Sequence, residues 1–418
     1  MQLFLPGVVL PFQKGKALER GVEDLQVTQV RVPVASADAD SPIAHLEADT
    51  AVACGGVLCR DEEFPVVSTV SGTIEGTAVI HHPVYGPLQC ADITTAGEEQ
   101  ERLEVIPEEE LTPADILRIA REAAIYDELD GIPLWEKLAQ WTPAENAPAA
   151  VGTILVADAT ENDVFGSAAW AVLMEQPKLV LFGLQMAARA IRFSRYHIAT
   201  MLPKRRRRTL KKAIGRINVY TVGDEYPVTV FAPKDLEVYR IGVQACLALG
   251  RALKQGLRHT AAIVTVSGDA LPAPRNLRVP FGTRVGDIVD ACQPKAGYQV
   301  ILGDAMVGVP CADHNAPLLP GITTVLAMQP ASPRVAGPCI GCGRCAEVCH
   351  MGLLPYEIVR RYENMHYERL QHLSPGDCDG CGACSYICPA ARPVTADVLR
   401  AGQTKGTVFL AWGEDDHE

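Results

Sequence analysis

Two closely spaced cysteine runs most constrain what this 418-residue chain can fold into. The first has the spacing Cys-x2-Cys-x2-Cys-x3-Cys and begins at Cys339, and the second repeats that spacing from Cys378 and is followed by Pro389. In dicluster ferredoxins with this spacing, three cysteines wrap one face of a [4Fe–4S] cluster and the fourth ligates the other cluster. The sequence therefore predicts two [4Fe–4S] clusters that share ligands between the runs.

The same rule assigns the ligands. One cluster is expected on Cys339, Cys342, Cys345 and Cys388, and the other on Cys378, Cys381, Cys384 and Cys349. The alternative is two structural zinc sites, but tetrahedral zinc usually takes two well-separated pairs of ligands rather than three in one tight run. Where Pro389 follows the second run, the first run has His350. That histidine either tunes a cluster potential or has no role.

Charge and hydropathy exclude several classes of protein. Lys and Arg total 38 against 50 Asp and Glu, a net charge of −12, which argues against a general nucleic-acid binder. No stretch approaches the roughly 18 apolar residues of a membrane-spanning helix. The N-terminal stretch lacks the basic region of a secretory signal. We therefore expect a cytoplasmic chain, in which a high density of cysteines favours metal binding over disulfides.

The pattern of apolar residues divides the rest of the chain. Short strands fill the first hundred residues, and a helix capped by Thr112 begins at Pro113. Strands and helices then alternate, which implies a parallel sheet. Strands are expected over 152–157, 196–200 and 217–222, and helices over 167–174 and 179–192. A further helix is predicted over 237–255, and a compact β-rich module follows from residue 260.

Three groups of motifs resemble one known family. They are Val70-Ser71-Gly72-Thr73 with His82-Pro83, Thr265-Val266-Ser267-Gly268-Asp269-Ala270 with Pro274 to Thr283, and Gly352-Leu353-Leu354-Pro355 with Cys384-Ser385-Tyr386-Ile387-Cys388-Pro389. On these motifs and their order, the chain resembles the C subunit of the Rnf electron-transport complex and the related electron-transfer protein associated with proline reductase.

The resemblance implies a multidomain α/β plus β protein. Its expected parts are an N-terminal lipoyl-like β-sandwich (1–105), a degenerate Rossmann-like α/β domain similar to the complex I flavoprotein (106–257), a soluble-ligand-binding β-grasp module (258–330), an α-rich dicluster ferredoxin-like domain (331–400) and an acidic tail (401–418).

The expected α/β domain departs from the family at its flavin site. In the family, a glycine-rich loop lets backbone N–H groups cradle the FMN phosphate. The corresponding stretch here, 122–133, keeps only Gly131 and Pro133, and its acidic residues Asp127, Glu128 and Asp130 would face a phosphate with like charge.

Two other stretches of the flavin and nicotinamide site are also altered. Glu161 remains from the acidic segment, but the expected Asn is Val156. Past Tyr226-Pro227, the family glycine is replaced by Val228 and Thr229. The sequence thus predicts that the fold of the family's α/β domain is kept and that FMN binding is lost. Gly131 and Glu161 are the expected remnants of the FMN and NADH site.

The leading hypothesis is an electron-transfer subunit that relays electrons through two clusters to or from a partner oxidoreductase. The expected partners in a larger complex are a reductase, a flavoprotein or a flavodoxin-like protein. The alternative is an FMN-dependent NADH dehydrogenase subunit that feeds those clusters, and a third possibility is a non-redox scaffold with structural metal.

Two weaker features keep alternatives open. The basic segment 204–208, with Lys211 and Lys212, is either a solvated helix face or a docking patch for an acidic partner. Cys54 and Cys59 are either a redox-active pair or small buried hydrophobic residues.

Overall fold

The computed structural model describes residues 7–36, 46–61, 64–143, 152–161, 163–215, 219–221, 225–227, 236–332, 334–367 and 370–403. They belong to two compact units of a mixed α/β protein. The larger unit comprises Phe12–Val222 and Val230–Pro330, and the smaller unit comprises Met1–Pro11, Gly223–Thr229 and Ala331–Glu418. No helix among these described residues is long and apolar enough to cross a membrane.

Most of the strands are short. In chain order they are β1 (Val8–Val9), β2 (Val22–Asp24), β3 (Gln29–Ser36), β4 (Ala51–Val52), β5 (Val57–Asp61), β6 (Phe64–Val67), β7 (Gly72–His82), β8 (Gly86–Thr95), β9 (Thr153–Ala159), β10 (Tyr196–Thr200), β11 (Val219–Thr221), β12 (Glu225–Tyr226), β13 (Glu237–Gly242), β14 (Ala261–Ser267), β15 (Arg275–Pro280), β16 (Gln299–Leu302), β17 (Val309–Cys311) and β18 (Thr324–Met328).

The helices concentrate in the middle and at the C-terminal end. They are α1 (Gly15–Glu19), α2 (Pro113–Glu122), α3 (Leu134–Trp141), α4 (Ala168–Glu175), α5 (Pro177–Ala190), α6 (Lys204–Ile214), α7 (Val243–Gln255), α8 (Val285–Asp290), α9 (Arg344–Glu347), α10 (Pro355–Glu363), α11 (Ala383–Tyr386) and α12 (Val394–Gln403).

A four-stranded parallel sheet forms the middle of the larger unit, as the alternation of strands and helices predicts. Its strand order is β11-β10-β9-β13, and every residue of β9 is buried. Helices α2 to α7 supply the apolar side chains that cover it, among them Trp170 and Leu184. Burial of both faces explains the run of four apolar residues in β9, from Ile154 to Ala157.

The helix predicted over 237–255 is wrong in its first third. Residues 237–242 form β13, which pairs in parallel with β9, and α7 begins only at Val243. The long-range pairing decides the conformation of this segment, because a strand of six residues is stabilised by its neighbour rather than by local periodicity.

Helix α2 begins where the sequence predicts. The Thr112 hydroxyl accepts a hydrogen bond from the backbone N–H of Asp115, and the Asp115 carboxylate accepts one from the N–H of Thr112. This capping box satisfies two N–H groups that the first helical turn leaves free. It also fixes the start of the helix that leads into residues 122–133.

Two further groups of strands complete the larger unit. One sheet has the order β3-β8-β7-β4, and β5 pairs with β6 beside it. The other has the order β17-β16-β18-β14-β15-β2 and shares an apolar core with α8, in which Val264, Ile288 and Val325 are fully buried. β-branched residues are frequent in β7 and β14, as is typical of strands, and the sequence predicts a β-branched strand in the region of β14.

In the smaller unit, the two cysteine runs adopt matching conformations. Gly343 and Gly382 each take a left-handed conformation (φ of 76° and 83°) immediately before the four-residue helices α9 and α11. Glycine adopts this conformation without a steric penalty. Helices α10 and α12 pack behind the runs, with Ile358 and Val398 in a small core that also contains Cys345 and Cys384.

Candidate functional site

A cavity of about 270 Å³ opens beside α9, and we call it the thiol cavity. Its wall contains three cysteines of the first run and the last cysteine of the second: Cys339, Cys342, Cys345 and Cys388. This is the ligand set that the spacing predicts for one cluster. Four thiols around one cavity form the donor set that iron–sulfur clusters use, so these residues fit the group.

The other four cysteines lie deeper in the smaller unit. Cys384 is buried, while Cys349, Cys378 and Cys381 are half-buried. Cys349 lies close enough to Cys378 for the two thiols to interact electrostatically, so the last cysteine of the first run lies among those of the second. Ligation by the eight thiols stays a prediction, but the structure brings them together in the expected grouping.

Neighbouring groups contact the deeper thiols. The backbone N–H of Leu353 donates to Cys349 Sγ (3.3 Å), and the Thr395 hydroxyl lies 3.1 Å from Cys384 Sγ. Burial raises the pKa of the Cys381 thiol to about 12. Since metals bind the thiolate, loading of this site must displace tightly held protons.

His350 belongs to this site, which the sequence left open. Its Nδ1 lies 3.9 Å from Cys381 Sγ, and its Nε2 lies 2.8 Å from Asp379 Oδ2. Among the described residues, His350, Asp379 and Cys381 are the group of His, Cys, Asp and Glu side chains whose potential ligand atoms lie within 4.8 Å of one another. A zinc site of mixed ligands is therefore a geometric alternative to a cluster at Cys381.

Tyr226 also contacts this site, and the sequence indicated it only as a marker of the flavin region. Strand β12 pairs antiparallel with β1, Tyr226 is buried, and its hydroxyl donates to the backbone carbonyl of Cys381 (2.6 Å). The expected replacements Val228 and Thr229 lie outside the described residues.

A second cavity, of about 620 Å³, lies in the larger unit, and we call it the acidic cavity. Glu161 lines it and accepts a hydrogen bond from the N–H of Ala169 (2.5 Å). Gly131 lies nearby, because a Cβ at that position would approach the hydroxyl of the lining residue Tyr85 to 3.3 Å. The two remnant positions thus lie around one cavity.

The loop 127–130 fills one end of the acidic cavity, at the N-terminus of α7. Glu128 accepts hydrogen bonds from the N–H groups of Gln244 (2.6 Å) and Ala245 (2.9 Å). Asp127 accepts one from the N–H of Gly242 (2.9 Å) and pairs with Lys137 (2.5 Å). Helix N-termini bind phosphate through such N–H groups. Here the N–H groups of Gly242, Gln244 and Ala245 are already used by carboxyl groups of the chain, so the residues at this end do not fit the phosphate of FMN.

The carboxyl group of Glu128 has an unusual environment. Burial, with the charge of Asp127 next, raises its pKa to about 8, although the N–H groups of Gln244 and Ala245 act in the opposite direction. The loss of hydration outweighs the stabilisation of the anion by two hydrogen bonds.

A buried lysine supports the loop that carries Glu161. Lys14 Nζ donates to the carbonyl oxygens of Glu161 (2.8 Å) and Gly166 (2.9 Å) and also to that of Asp163. Burial lowers the pKa of Lys14. No sequence motif indicated this contact, since Lys14 lies in an N-terminal stretch remote from the loop in sequence.

The structure bears on one of the two weaker features and leaves the other open. Cys54 Sγ donates to the carbonyl of Thr69 (3.4 Å), and burial raises its pKa, which works against a reactive thiolate. Helix α6 buries Leu210 and Ile214 and exposes most of its basic residues, a geometry that suits both a solvated face and a docking patch.

Comparison with known proteins bears on the cysteine-rich region first. Residues 338–391 match the family model of the 4Fe–4S dicluster domain. The chain is 25% identical over 333 residues to the C subunit of the proton-translocating ferredoxin:NAD(+) oxidoreductase complex of Clostridium ljungdahlii, an alignment that covers 72% of this chain and 71% of that protein. It is 34% identical over 146 residues to the C subunit of the ion-translocating oxidoreductase complex of Rhodobacter capsulatus.

The chain is thus similar to C subunits of this kind in two organisms. The resemblance to the Rnf C subunit is therefore confirmed, and the dicluster domain supports an electron-transfer subunit with iron–sulfur clusters in a complex. The Rhodobacter alignment covers 33% of this chain and 27% of that protein. The C subunit of the Na(+)-translocating ferredoxin:NAD(+) oxidoreductase complex of Acetobacterium woodii is 26% identical over 228 residues, which cover 49% of this chain and 52% of that protein.

Among solved structures, an NAD+-reducing [NiFe]-hydrogenase in the H2-reduced state matches 72% of this chain over 62% of its own, with 16% identity and a TM-score of 0.47.

Proposed function

We propose that the chain carries two [4Fe–4S] clusters and exchanges electrons with a partner oxidoreductase in a larger complex, without a flavin of its own. The observation that carries this proposal is the thiol cavity, whose wall joins three cysteines of one run to the last cysteine of the other. When bound, each cluster would accept and release one electron at a time.

The thiol cavity also supports a route to the surface. Cys339 and Cys342 are exposed, and Ile340 between them is 68% exposed. Three arginines line the cavity, namely Arg344, Arg360 and Arg392; Arg360 pairs with Glu357 and Arg392 with Glu363. On a chain with a net charge of −12, a partly basic rim favours an acidic partner, such as a flavodoxin-like protein or a flavoprotein subunit.

We assign the remaining sheets to scaffold and docking roles. The parallel sheet with its helices supports the α/β flavoprotein-like domain with a degenerate site, and the two other sheets support the lipoyl-like and β-grasp modules. The cytoplasm is the proposed location, because a chain with many free thiols suits a reducing compartment.

The second candidate is an FMN-dependent NADH dehydrogenase subunit. The size of the acidic cavity, about 620 Å³, and the position of Glu161 on its wall favour this alternative. The occupied N–H groups of α7 count against it.

Iron, acid-labile sulfide and FMN measured on anaerobically purified protein test the proposal. We expect about eight iron and eight sulfide per chain and no flavin. About one FMN with the same iron would favour the dehydrogenase, and zinc without sulfide would contradict both electron-transfer functions.

Two double variants test the sharing of ligands between runs. Cys349→Ser with Cys381→Ser should spare one cluster and leave about four iron per chain, because both residues are assigned to the same cluster. Cys349→Ser with Cys342→Ser should leave almost none. If each run held its own cluster, the two results would be exchanged.

A further inference from the structure

Two adjacent carboxyl groups accept hydrogen bonds from three backbone N–H groups at the start of α7, beside the acidic cavity. Glu128 takes the N–H groups of Gln244 and Ala245, and Asp127 takes that of Gly242. These contacts join residues more than a hundred positions apart in the sequence. They place an acidic side chain where a helix N-terminus ordinarily attracts an external anion.

The fit around Glu128 is close. A Cβ at position 242 would lie 2.0 Å from Glu128 Cδ and 2.1 Å and 2.3 Å from its two carboxyl oxygens. The backbone at Gly242 and the helix N-terminus therefore form a cradle of carboxyl size, and the carboxyl group of Glu128 fills it. An external group could enter only if Glu128 left.

The basic side chains that line the acidic cavity are likewise paired with carboxylates of the chain itself. Among its described lining residues, Lys137 pairs with Asp127 and Asp130, and Arg240 Nε donates to Asp158 (2.8 Å). The lining has six acidic side chains against these two basic ones. No described lining cation is left to neutralise a phosphate dianion, whose like-charge repulsion from the carboxylates would oppose entry.

We propose that Glu128 is an internal ligand of the α7 N-terminus and that its carboxyl group excludes a phosphate monoester, FMN included, from the acidic cavity. This inference deepens the flavin-free part of the proposed function and rests on it for the identity of the excluded ligand. The exclusion acts through occupied space and occupied N–H donors. Glutamine would keep the space and, through its amide oxygen, one of the two N–H contacts with Gln244 and Ala245.

Titration calorimetry of the full, cluster-loaded chain with FMN tests the proposal. Glu128→Ala should empty the cradle and strengthen FMN binding by about tenfold or more over the natural chain. Inorganic phosphate should compete with FMN for the variant. Glu128→Gln is the matched control, because its amide keeps the shape of the carboxyl group, and it should bind no more FMN than the natural chain does.

Riboflavin lacks the phosphate, so it distinguishes two reasons why the Ala variant could bind FMN more tightly: a freed anion site or additional space in the cavity. The Ala variant should not gain affinity for riboflavin; an equal gain for riboflavin and FMN would overturn the proposal, as would no gain in a variant that keeps its iron and its circular dichroism spectrum. If the variant does not fold, the natural chain still tests the proposal. Binding of FMN to the natural chain, with displacement of that FMN by inorganic phosphate, would also overturn the proposal. Iron and sulfide content reports separately on the electron-transfer function.

Discussion

Replacing Glu128 by glutamine should change how stability depends on pH. The pKa of Glu128 is raised from 4.5 to about 8, chiefly by burial and then by Asp127. The folded chain thus holds this proton more tightly than the unfolded chain does. The stabilisation is complete below the unfolded pKa and is lost as the pH rises through the folded pKa.

The expected magnitude follows from these two values. Between about pH 6 and about pH 9, the free energy of unfolding should fall by about 2–3 kcal/mol through this group alone. Glutamine resembles the protonated carboxyl group and does not titrate, so the Glu128→Gln variant should lack this part of the decline. The free energy of unfolding of the variant, relative to that of the natural chain, should therefore increase as the pH rises.

Urea unfolding at several pH values, followed by tryptophan fluorescence, measures the difference. Trp170 is buried in the same apolar core as α7 and reports on this region. Asp127, Lys137 and Cys246 are the titratable groups around Glu128, and all three remain in the variant. Because Asp127 and Glu128 influence each other's protonation, the difference between the two profiles reports on this pair of carboxyl groups. Parallel pH profiles for the two proteins would refute the reasoning.

Three further predictions concern other sites. Lys137→Met should destabilise the chain by about 3–5 kcal/mol, because it leaves Asp127 buried without its partner, and adding Asp127→Asn should restore much of the loss in urea unfolding. His350→Ala should leave the iron content unchanged; loss of metal would make His350 a ligand. Reversing the charges of Arg205 and Arg208 should slow reduction by an acidic partner at low salt, and an unchanged stopped-flow rate would remove the docking role of α6.

The sequence predicts the parts of this protein that depend on neighbouring residues. The cap at Thr112 and the turns of the cysteine runs depend on residues that are close in sequence, and both are present in the structure. The strand at 237–242 reads as helix in the sequence because its pairing with β9 joins distant segments. Local periodicity does not contain that information.

The same distinction applies to the site. The grouping of the cysteines follows from their spacing and from a known sharing of ligands. The contact of His350 with Cys381 and that of Glu128 with α7 are produced by the tertiary fold across long stretches of chain. The sequence indicates that residues 127–130 suit a phosphate poorly, but it does not indicate that Glu128 takes the place of the anion.

The contact between Tyr226 and Cys381 has a consequence for how this protein can be divided. The smaller unit is assembled from three separate stretches of the chain, and β12 contributes the hydroxyl group that binds the carbonyl of a proposed cluster ligand. A fragment cut before Ala331 would carry all eight cysteines of the runs but would leave Tyr226 behind. The cysteine-rich region therefore does not contain all of its own contacts. A chimaera that exchanges this region between relatives should also exchange β1 and β12.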